Sequence, residues 1–200
     1  MNQNNLAELY ENHKEKFDEI KNQIEKDIIR NENYKGIFYE IFPFSYQRIG
    51  FNRGKIIKDI NNIKTTKNLY IYGFDVNDKI IEVKEGITIE DEFYYQFLFY
   101  EDGKVKTLNY DNKKSLQNIS YHIFENNRIS KMFLKGKRGG REETYFYETN
   151  LLKKILIKQF DAKGNEVNPL EHIFEYSDDG TLNSIKKLFT NGNYEIIYKK

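Results

Sequence analysis

Apolar side chains in the first thirty residues recur with a helical period. The stripe adds spacings of three and four, includes His13, and has as its apolar members Leu6, Tyr10, Phe17, Ile20, Ile24 and Ile28. This spacing predicts one long amphipathic helix over residues 5–30, capped by Asn4 or Asn5 and ended by the polar segment 30–36. Such a stripe covers an apolar surface of its own chain or, as the alternative, forms an intermolecular coiled coil.

From residue 37 onward the pattern changes from helical to alternating. Residues 36–46 are compatible with a strand that Pro43 interrupts, since proline cannot donate to a strand ladder. Residues 52–68 fit either a short helix or a strand followed by a loop. The chain is therefore divided into an N-terminal helix packed on a sheet (1–33), an irregular strand and loop region (34–67) and a hairpin-repeat region (68–200), within a single domain.

A short pattern recurs through the last 130 residues: an aromatic residue, a polar turn and then an aliphatic residue. Its aromatic residues fall at positions 74, 100, 124, 147 and 176, at spacings of 26, 24, 23 and 29. A repeat of this length indicates an array of supersecondary units. A second set of polar segments lies between these turns, at 110–115, 134–141, 160–166 and 190–194.

The turn residues themselves indicate β-hairpins. Gly103 and Gly180, with Asn127 and Asn150 in comparable places, tolerate positive φ. Each period then divides into two strands and two turns, which predicts an up-and-down antiparallel meander. The expected fold is mainly β (α+β), an N-terminal amphipathic helix followed by this meander, and the sequence leaves open whether the sheet stays open or closes into a barrel.

The segments FYEDGKVKTL (99–108) and FEYSDDGTLNSI (174–185) resemble MORN-variant or YD-type β-hairpin repeats. The resemblance covers roughly residues 68–200. It implies a hairpin scaffold of the kind found in bacterial toxin–immunity systems, where such repeats build antitoxins. It carries over no catalytic position.

Both faces of the predicted sheet carry apolar side chains. In EFYYQFLFY (92–100) the odd-numbered aromatic residues from 93 to 99 point to one face, while Tyr94, Leu98 and Tyr100 point to the other. The N-terminal helix covers one face, and either sheet curvature or residues 37–60 cover the other. A remaining tyrosine-rich face suits protein binding, or its tyrosines complete the rim of a core.

Composition and charge narrow the function further. The chain has 16 Tyr and 15 Phe but no Cys, and 32 Lys plus Arg nearly balance 31 Asp plus Glu. Without cysteine there is no thiol catalysis, disulfide or thiolate metal site, and the balanced charge makes nucleic acid an unlikely partner. No signal peptide or spanning segment is recognisable, so we expect a cytoplasmic protein with no membrane partner and no cofactor.

Few residues indicate chemistry. His122 and His172 occupy equivalent positions in the repeat, so a shared metal or acid/base role requires the fold to bring them together. The basic segment 135–141 is interpreted as a solvated turn, with a partner contact or a nucleotide cradle as alternatives. No catalytic motif is present, and we expect the chain not to be an enzyme.

Acidic residues cluster at strand ends and turns, from Glu82 to Glu92 and again at 101–102. They are either simply solvated or form a negative patch that docks on a basic partner. The candidate partner-binding residues are Glu85, Glu90, Asp91, Glu92, Tyr94, Glu101 and Asp102.

The sequence therefore predicts a non-catalytic protein-binding module, most specifically a bacterial immunity protein or antitoxin that occludes a basic toxin domain. The alternatives are a structural or adaptor protein of envelope or phage assembly, and an enzyme with an unrecognised site. A deep pocket that gathers His122, His172 and carboxylates would favour the enzyme.

Overall fold

The structure, a computed structural model, describes residues 3–58 and 65–200 and consists of two helices and one large antiparallel sheet. The helices are α1 (Gln3–His13) and α2 (Phe17–Asp27), and a 3-10 turn spans Gln47–Ile49. The strands are β1 (Arg30–Lys35), β2 (Lys55–Ile56), β3 (Leu69–Phe74), β4 (Ile80–Gly86), β5 (Phe93–Glu101), β6 (Lys104–Tyr110), β7 (Leu116–Glu125), β8 (Arg128–Gly136), β9 (Gly139–Glu148), β10 (Leu151–Phe160), β11 (Glu166–Tyr176), β12 (Leu182–Phe189) and β13 (Tyr194–Lys199).

The predicted antiparallel meander is confirmed. From β3 to β13 each strand pairs with its neighbours in sequence, and β1 joins the sheet between β3 and β2. All the turn segments predicted from the sequence connect adjacent strands. The sheet has two ends, β13 and β2, so it stays open and does not close into a barrel.

Local hydrogen bonds explain why the same turn chemistry recurs. Asp75, Asp111 and Asp161 each begin a turn, and one carboxylate oxygen of each accepts the backbone N–H groups two and four residues later. Positive φ follows at the fourth residue of each turn. This arrangement satisfies turn donors that no strand can reach.

Two-residue turns close the hairpins β5–β6, β7–β8, β8–β9 and β9–β10, whereas the β11–β12 connection is longer and spans residues 177–181. Gly103, Gly180 and Asn127 have positive φ as predicted, and Asn126 shares that conformation with Asn127. The expectation for Asn150 is wrong, because the preceding residue, Thr149, takes the positive φ (55°) in that turn.

The first face of the sheet, the helix face, is covered by α1 and α2. The buried helix residues are Leu6, Tyr10, Phe17, Ile20 and Ile24, and they form one core with sheet residues that include Phe97, Leu108 and Ile119. The apolar stripe of the N-terminus therefore packs on its own sheet.

The prediction of one helix over residues 5–30 is wrong. The helical turns stop at His13 and resume at Phe17. The His13 carbonyl accepts the hydroxyl of Tyr110 (2.8 Å), so the sheet satisfies the end of α1. The segment predicted as the helix stop is strand β1, which alternation could not reveal because Tyr34 is its one buried side chain.

The second face, the strap face, is crossed by residues 37–51, which we call the strap. Phe42 stacks on His122 with ring centroids 3.5 Å apart, and Phe44 packs on Phe174. Of the two covers that the sequence left open for this face, the structure uses the strap. The strap includes Pro43 and has no strand hydrogen bonding, so the interrupted strand considered for residues 36–46 does not form.

Phe17→Ala should destabilise the fold by about 3–5 kcal/mol, because this buried ring contacts Tyr95, Phe97 and Tyr110. Urea denaturation measures the change. Asn22→Ala, on the exposed side of α2, is the matched control and should change stability by about 0.5 kcal/mol or less. Equal effects of the two substitutions would contradict the packing of α2 on the sheet.

Candidate functional site

The strap and the strands beneath it border a half-open cavity of about 790 Å³, which we call the strap cavity. The strap contributes Phe42 and Arg48 to its wall, and the sheet contributes polar groups from several strands between β5 and β13. The polar sheet residues that line it include His122 on β7, Arg141 and Glu143 on β9, and His172 on β11.

Strand register explains how residues so distant in sequence meet. His122 lies opposite Met132, which in turn lies opposite Glu143, and the three form a row across β7, β8 and β9. The next row joins Tyr145 to His172 through Ile155. The two histidines that the repeat places in equivalent positions therefore face one cavity from adjacent rows.

Glu143 is the centre of a buried ionic network. Its Oε1 lies 2.7 Å from Nη2 of Arg48 and 2.5 Å from Nη2 of Arg141, and its Oε2 accepts the hydroxyl of Tyr145 at 2.5 Å. Burial by itself would raise the pKa of Glu143, but the two guanidinium groups and these hydrogen bonds hold the pKa at about 2. The carboxylate is therefore ionised and fully engaged at neutral pH.

Both histidines of the cavity are neutral at pH 7. Burial and the charge of Arg48 lower the pKa of His122 and of His172 to about 3, although the charge of Glu143 opposes this shift. The Nε of Arg48 donates to Nδ1 of His172 at 3.2 Å. His172 thus carries its proton on Nε2 and helps to hold the strap on the sheet.

Ser120 extends the polar network beside His122. The Nε2 of His122 lies 3.0 Å from Oγ of Ser120, which lies 2.6 Å from Oγ1 of Thr107. A nucleophilic serine needs a histidine that accepts its proton readily, with a third group to orient the ring. The pKa of about 3 makes His122 a weak base, and Glu143 is bound to two arginines, so the arrangement resembles a structural network more than acid/base machinery.

A second concavity of about 780 Å³ lies beside the strap cavity on the same face, and we call it the tyrosine groove. Phe42, Ser45, Ile49 and Gln96 line both, so the two are continuous. The polar residues that define the groove are Tyr70, Glu85, Tyr94, Gln96, Asn109 and Asn118. Burial and a hydrogen bond to Glu85 raise the pKa of Tyr70, so its hydroxyl stays protonated.

The structure separates the predicted partner-binding residues into two groups. Tyr94 lies opposite Glu85 in the tyrosine groove, and the loop of Glu90, Asp91 and Glu92 lies at its rim, where the Asn112 amide donates to Glu92.

Glu101 and Asp102 lie in the turn at the other end of β5, roughly 27 Å away along the strand. Glu101 pairs there with Lys104 at 2.8 Å. Glu82, which the sequence assigns to the acidic cluster, is fully buried on the helix face beside Lys84. Burial raises the pKa of Glu82, and this side chain is not part of a surface patch.

The basic segment 135–141 forms the β8–β9 hairpin, whose turn exposes Lys137 and Arg138. Gly139 lies against the backbone of β10, where a Cβ would come within 2.0 Å of the Phe160 carbonyl oxygen. The paired glycines thus allow a close backbone approach. Arg141 points instead into the strap cavity.

Sequence reasoning missed the two partners at the centre of the network, Arg48 and Glu143. One signal was available: Glu143 alternates with Tyr145 and Tyr147, so it shares the face of the strand that these aromatic side chains mark as inward. Arg48 gave no signal, because the strap has no periodicity. Within residues 3–58 and 65–200 no three histidine or carboxylate side chains are grouped as metal ligands, and in those same ranges no helix has the length and apolar character needed to cross a bilayer.

Arg48→Met should destabilise the fold by about 3 kcal/mol. The substitution removes one cation from the buried carboxylate of Glu143 and leaves Nδ1 of His172 without its hydrogen-bond donor. Chemical denaturation measures the loss. Arg138→Met removes the same charge from an exposed turn and should change stability by about 0.5 kcal/mol or less. If both variants lose equally little, the ion pair does not hold the strap.

Stability should fall as the pH drops from 6.5 to 4.5. The unfolded histidines take up protons near pH 6.5, whereas in the fold the pKa of His122 and of His172 is about 3, so protons favour the unfolded state throughout this window. Two protons give a slope of up to about 2.7 kcal/mol per pH unit. Urea denaturation across this range measures it.

The matched variants are His122→Gln and His172→Gln, each of which should reduce that slope by about half. His13→Gln, at the end of α1, replaces a histidine outside the cavity and is the control. A slope that is the same in all three variants and the parent chain would refute the assignment.

In comparisons with known proteins, no family model and no curated protein matches this chain. The resemblance to MORN-variant or YD-type repeats therefore stays a prediction that rests on the turn residues.

Proposed function

We propose that the chain is a non-catalytic protein-binding module that receives a basic segment of a partner in the tyrosine groove. The observation that carries the proposal is the groove itself, a half-open concavity beside the strap with an acidic loop at its rim. The most specific form of the proposal is a cytoplasmic immunity protein or antitoxin of a bacterial toxin system.

The chemistry of the groove supports a protein ligand. Tyr94 is 45% exposed and offers a large ring with a polar tip, a combination enriched at protein interfaces. Asn109 and Asn118 hydrogen-bond to each other across β6 and β7 and present further amide groups. Amide and phenol groups of this kind suit the backbone and side chains of an extended segment.

Charge favours a basic partner. Glu85 and Asp111 line the groove, the acidic loop 90–92 reaches the lining residue Asn112 through Glu92, and Lys113 is the one lysine among the lining residues. Complementary charge at a rim speeds association and suppresses wrong partners. A basic toxin domain fits this pattern.

One observation favours an enzyme instead: the strap cavity gathers His122, His172 and Glu143, as the sequence-based enzyme hypothesis requires. Their bonding weighs against it, because Glu143 is held by two arginines and a tyrosine and both histidines are weak bases. A structural or adaptor role in envelope or phage assembly would use the same groove, and the identity of the captured protein separates that role from toxin inhibition.

Reversing the rim charges should weaken partner binding by about tenfold, since each of the three substitutions Glu90→Lys, Asp91→Lys and Glu92→Lys removes an exposed attraction of up to about 1 kcal/mol. The immobilised chain first captures the partner from the native host. The affinity of the identified partner for the parent chain and for the variant is then measured at two salt concentrations. The affinity of the parent chain should fall as salt rises.

Two matched variants change residues at the other end of β5, outside the groove. Glu101→Lys with Asp102→Lys reverses charge at the far turn, and Tyr100→Ala is the counterpart of Tyr94→Ala. Only the groove variants should lose affinity. Equal losses at both ends of β5, or capture of no protein by the folded parent chain, would reject the proposal.

A further inference from the structure

A separate cavity of about 730 Å³ opens on the helix face, between α2, the β3–β4 turn and strand β5, and we call it the α2 cavity. Its volume lies within the usual range for small-molecule sites. Ile24 and Phe99 contribute to its wall. Ile29 and Val76 also line it and are 68% and 78% exposed, the highest values among the large apolar side chains that the structure describes. An apolar ligand in this cavity would remove part of that surface from water.

Lys106 presents a half-buried amine to the α2 cavity. It lies on β6 opposite Phe99, and its Nζ is 4.3 Å from the centre of that ring. Within residues 3–58 and 65–200 no carboxylate lies at ion-pair distance from this nitrogen. Because Lys106 is only partly buried, a small molecule in the cavity can reach Nζ.

Lys104 lies two positions earlier on the same face of β6 and has a different environment. Its Nζ is 2.8 Å from Glu101, and this hydrogen-bonded ion pair raises the pKa of Lys104. Burial and the charge of Lys104 lower the pKa of Lys106, although Glu101 opposes the shift. An amine in an apolar setting beside a second cation is typical of nucleophilic lysines, because more of it is present without its proton.

The charges of the α2 cavity favour a ligand without charge. Its lining carries three lysines, at positions 26, 79 and 106, and three carboxylates, those of Asp27, Asp75 and Glu101. Since these charges cancel, an anion gains no net attraction from the cavity. A carbonyl compound needs no opposite charge and reacts with an amine in its neutral form.

We propose that the α2 cavity binds an aldehyde with an apolar body and that Lys106 holds this ligand as a reversible imine. The lone pair of Nζ attacks the carbonyl carbon and forms the C–N bond. The carbonyl oxygen takes up the two protons of the amine and leaves as water, so a C=N double bond joins the ligand to Lys106. The apolar body then covers Ile29 and Val76.

The α2 cavity and the tyrosine groove lie on opposite faces of the sheet. An aldehyde in the α2 cavity therefore leaves the groove free, and the inference does not rest on the proposed function.

Reductive trapping on the full chain tests the proposal. The chain is incubated at neutral pH with increasing hexanal and with cyanoborohydride, which reduces an imine to a stable secondary amine. Tandem mass spectrometry then quantifies the adduct at each lysine. We expect saturable labelling in which Lys106 exceeds Lys104 about fivefold or more. Acetaldehyde has the same reactive group without the apolar body and should give a smaller preference for Lys106.

Two substitutions separate the amine from the cavity. Lys106→Arg keeps the charge but removes the nucleophile and should abolish the saturable labelling, whereas Lys104→Arg is the matched control and should leave labelling of Lys106 unchanged. Val76→Asn, in the exposed β3–β4 turn, should lower labelling of Lys106 by hexanal about threefold and leave labelling by acetaldehyde unchanged.

Three outcomes would overturn the proposal: equal labelling of Lys104 and Lys106 by hexanal, labelling of Lys106 that rises without saturation, or the same preference for Lys106 with acetaldehyde as with hexanal. Should Lys106→Arg fail to fold, the comparison of the two lysines within the parent chain still decides the question. Loss of partner capture by the groove variants, tested separately, would leave this result unchanged.

Discussion

Both faces of the sheet carry aromatic and aliphatic side chains, so neither face is stable in water unless another part of the chain covers it. The helix face is covered in the usual way, by an apolar helical stripe. The strap face is covered by a segment without regular hydrogen bonding, which is held at its end by the contact of Arg48 with Glu143. That ion pair therefore anchors the C-terminal part of the strap to the middle of the sheet.

A strap held by charge leaves more open space than a packed helix would. Arg48 reaches the sheet with a long side chain, and the apolar contacts of Phe42 and Phe44 lie on either side of the polar row. The space between becomes the strap cavity and the tyrosine groove. The same interaction that completes the core thus creates the concave surface on which the proposed function depends.

The strand array was predictable because each turn is specified locally, by residues such as Asp111 and Gly103 whose conformational preferences act within four or five positions. The break between α1 and α2 was not, since it depends on the hydroxyl of Tyr110, almost a hundred residues away. Strand β1 escaped detection because it is polar and derives its stability from pairing with β3. For the candidate acidic patch, the linear sequence could not show that Glu85 lies opposite Tyr94, that Glu82 is buried or that Glu101 lies at the other end of β5.

The bond between Arg48 and Glu143 joins residues 95 positions apart in a chain whose strands otherwise pair with their immediate neighbours. A meander held only by nearest-neighbour contacts would melt strand by strand from its ends, as repeat arrays do. Because the strap touches β7, β9 and β11 and its 3-10 turn packs on β13, it couples the opening of these strands and makes the sheet from β7 to β13 unfold as one cooperative unit.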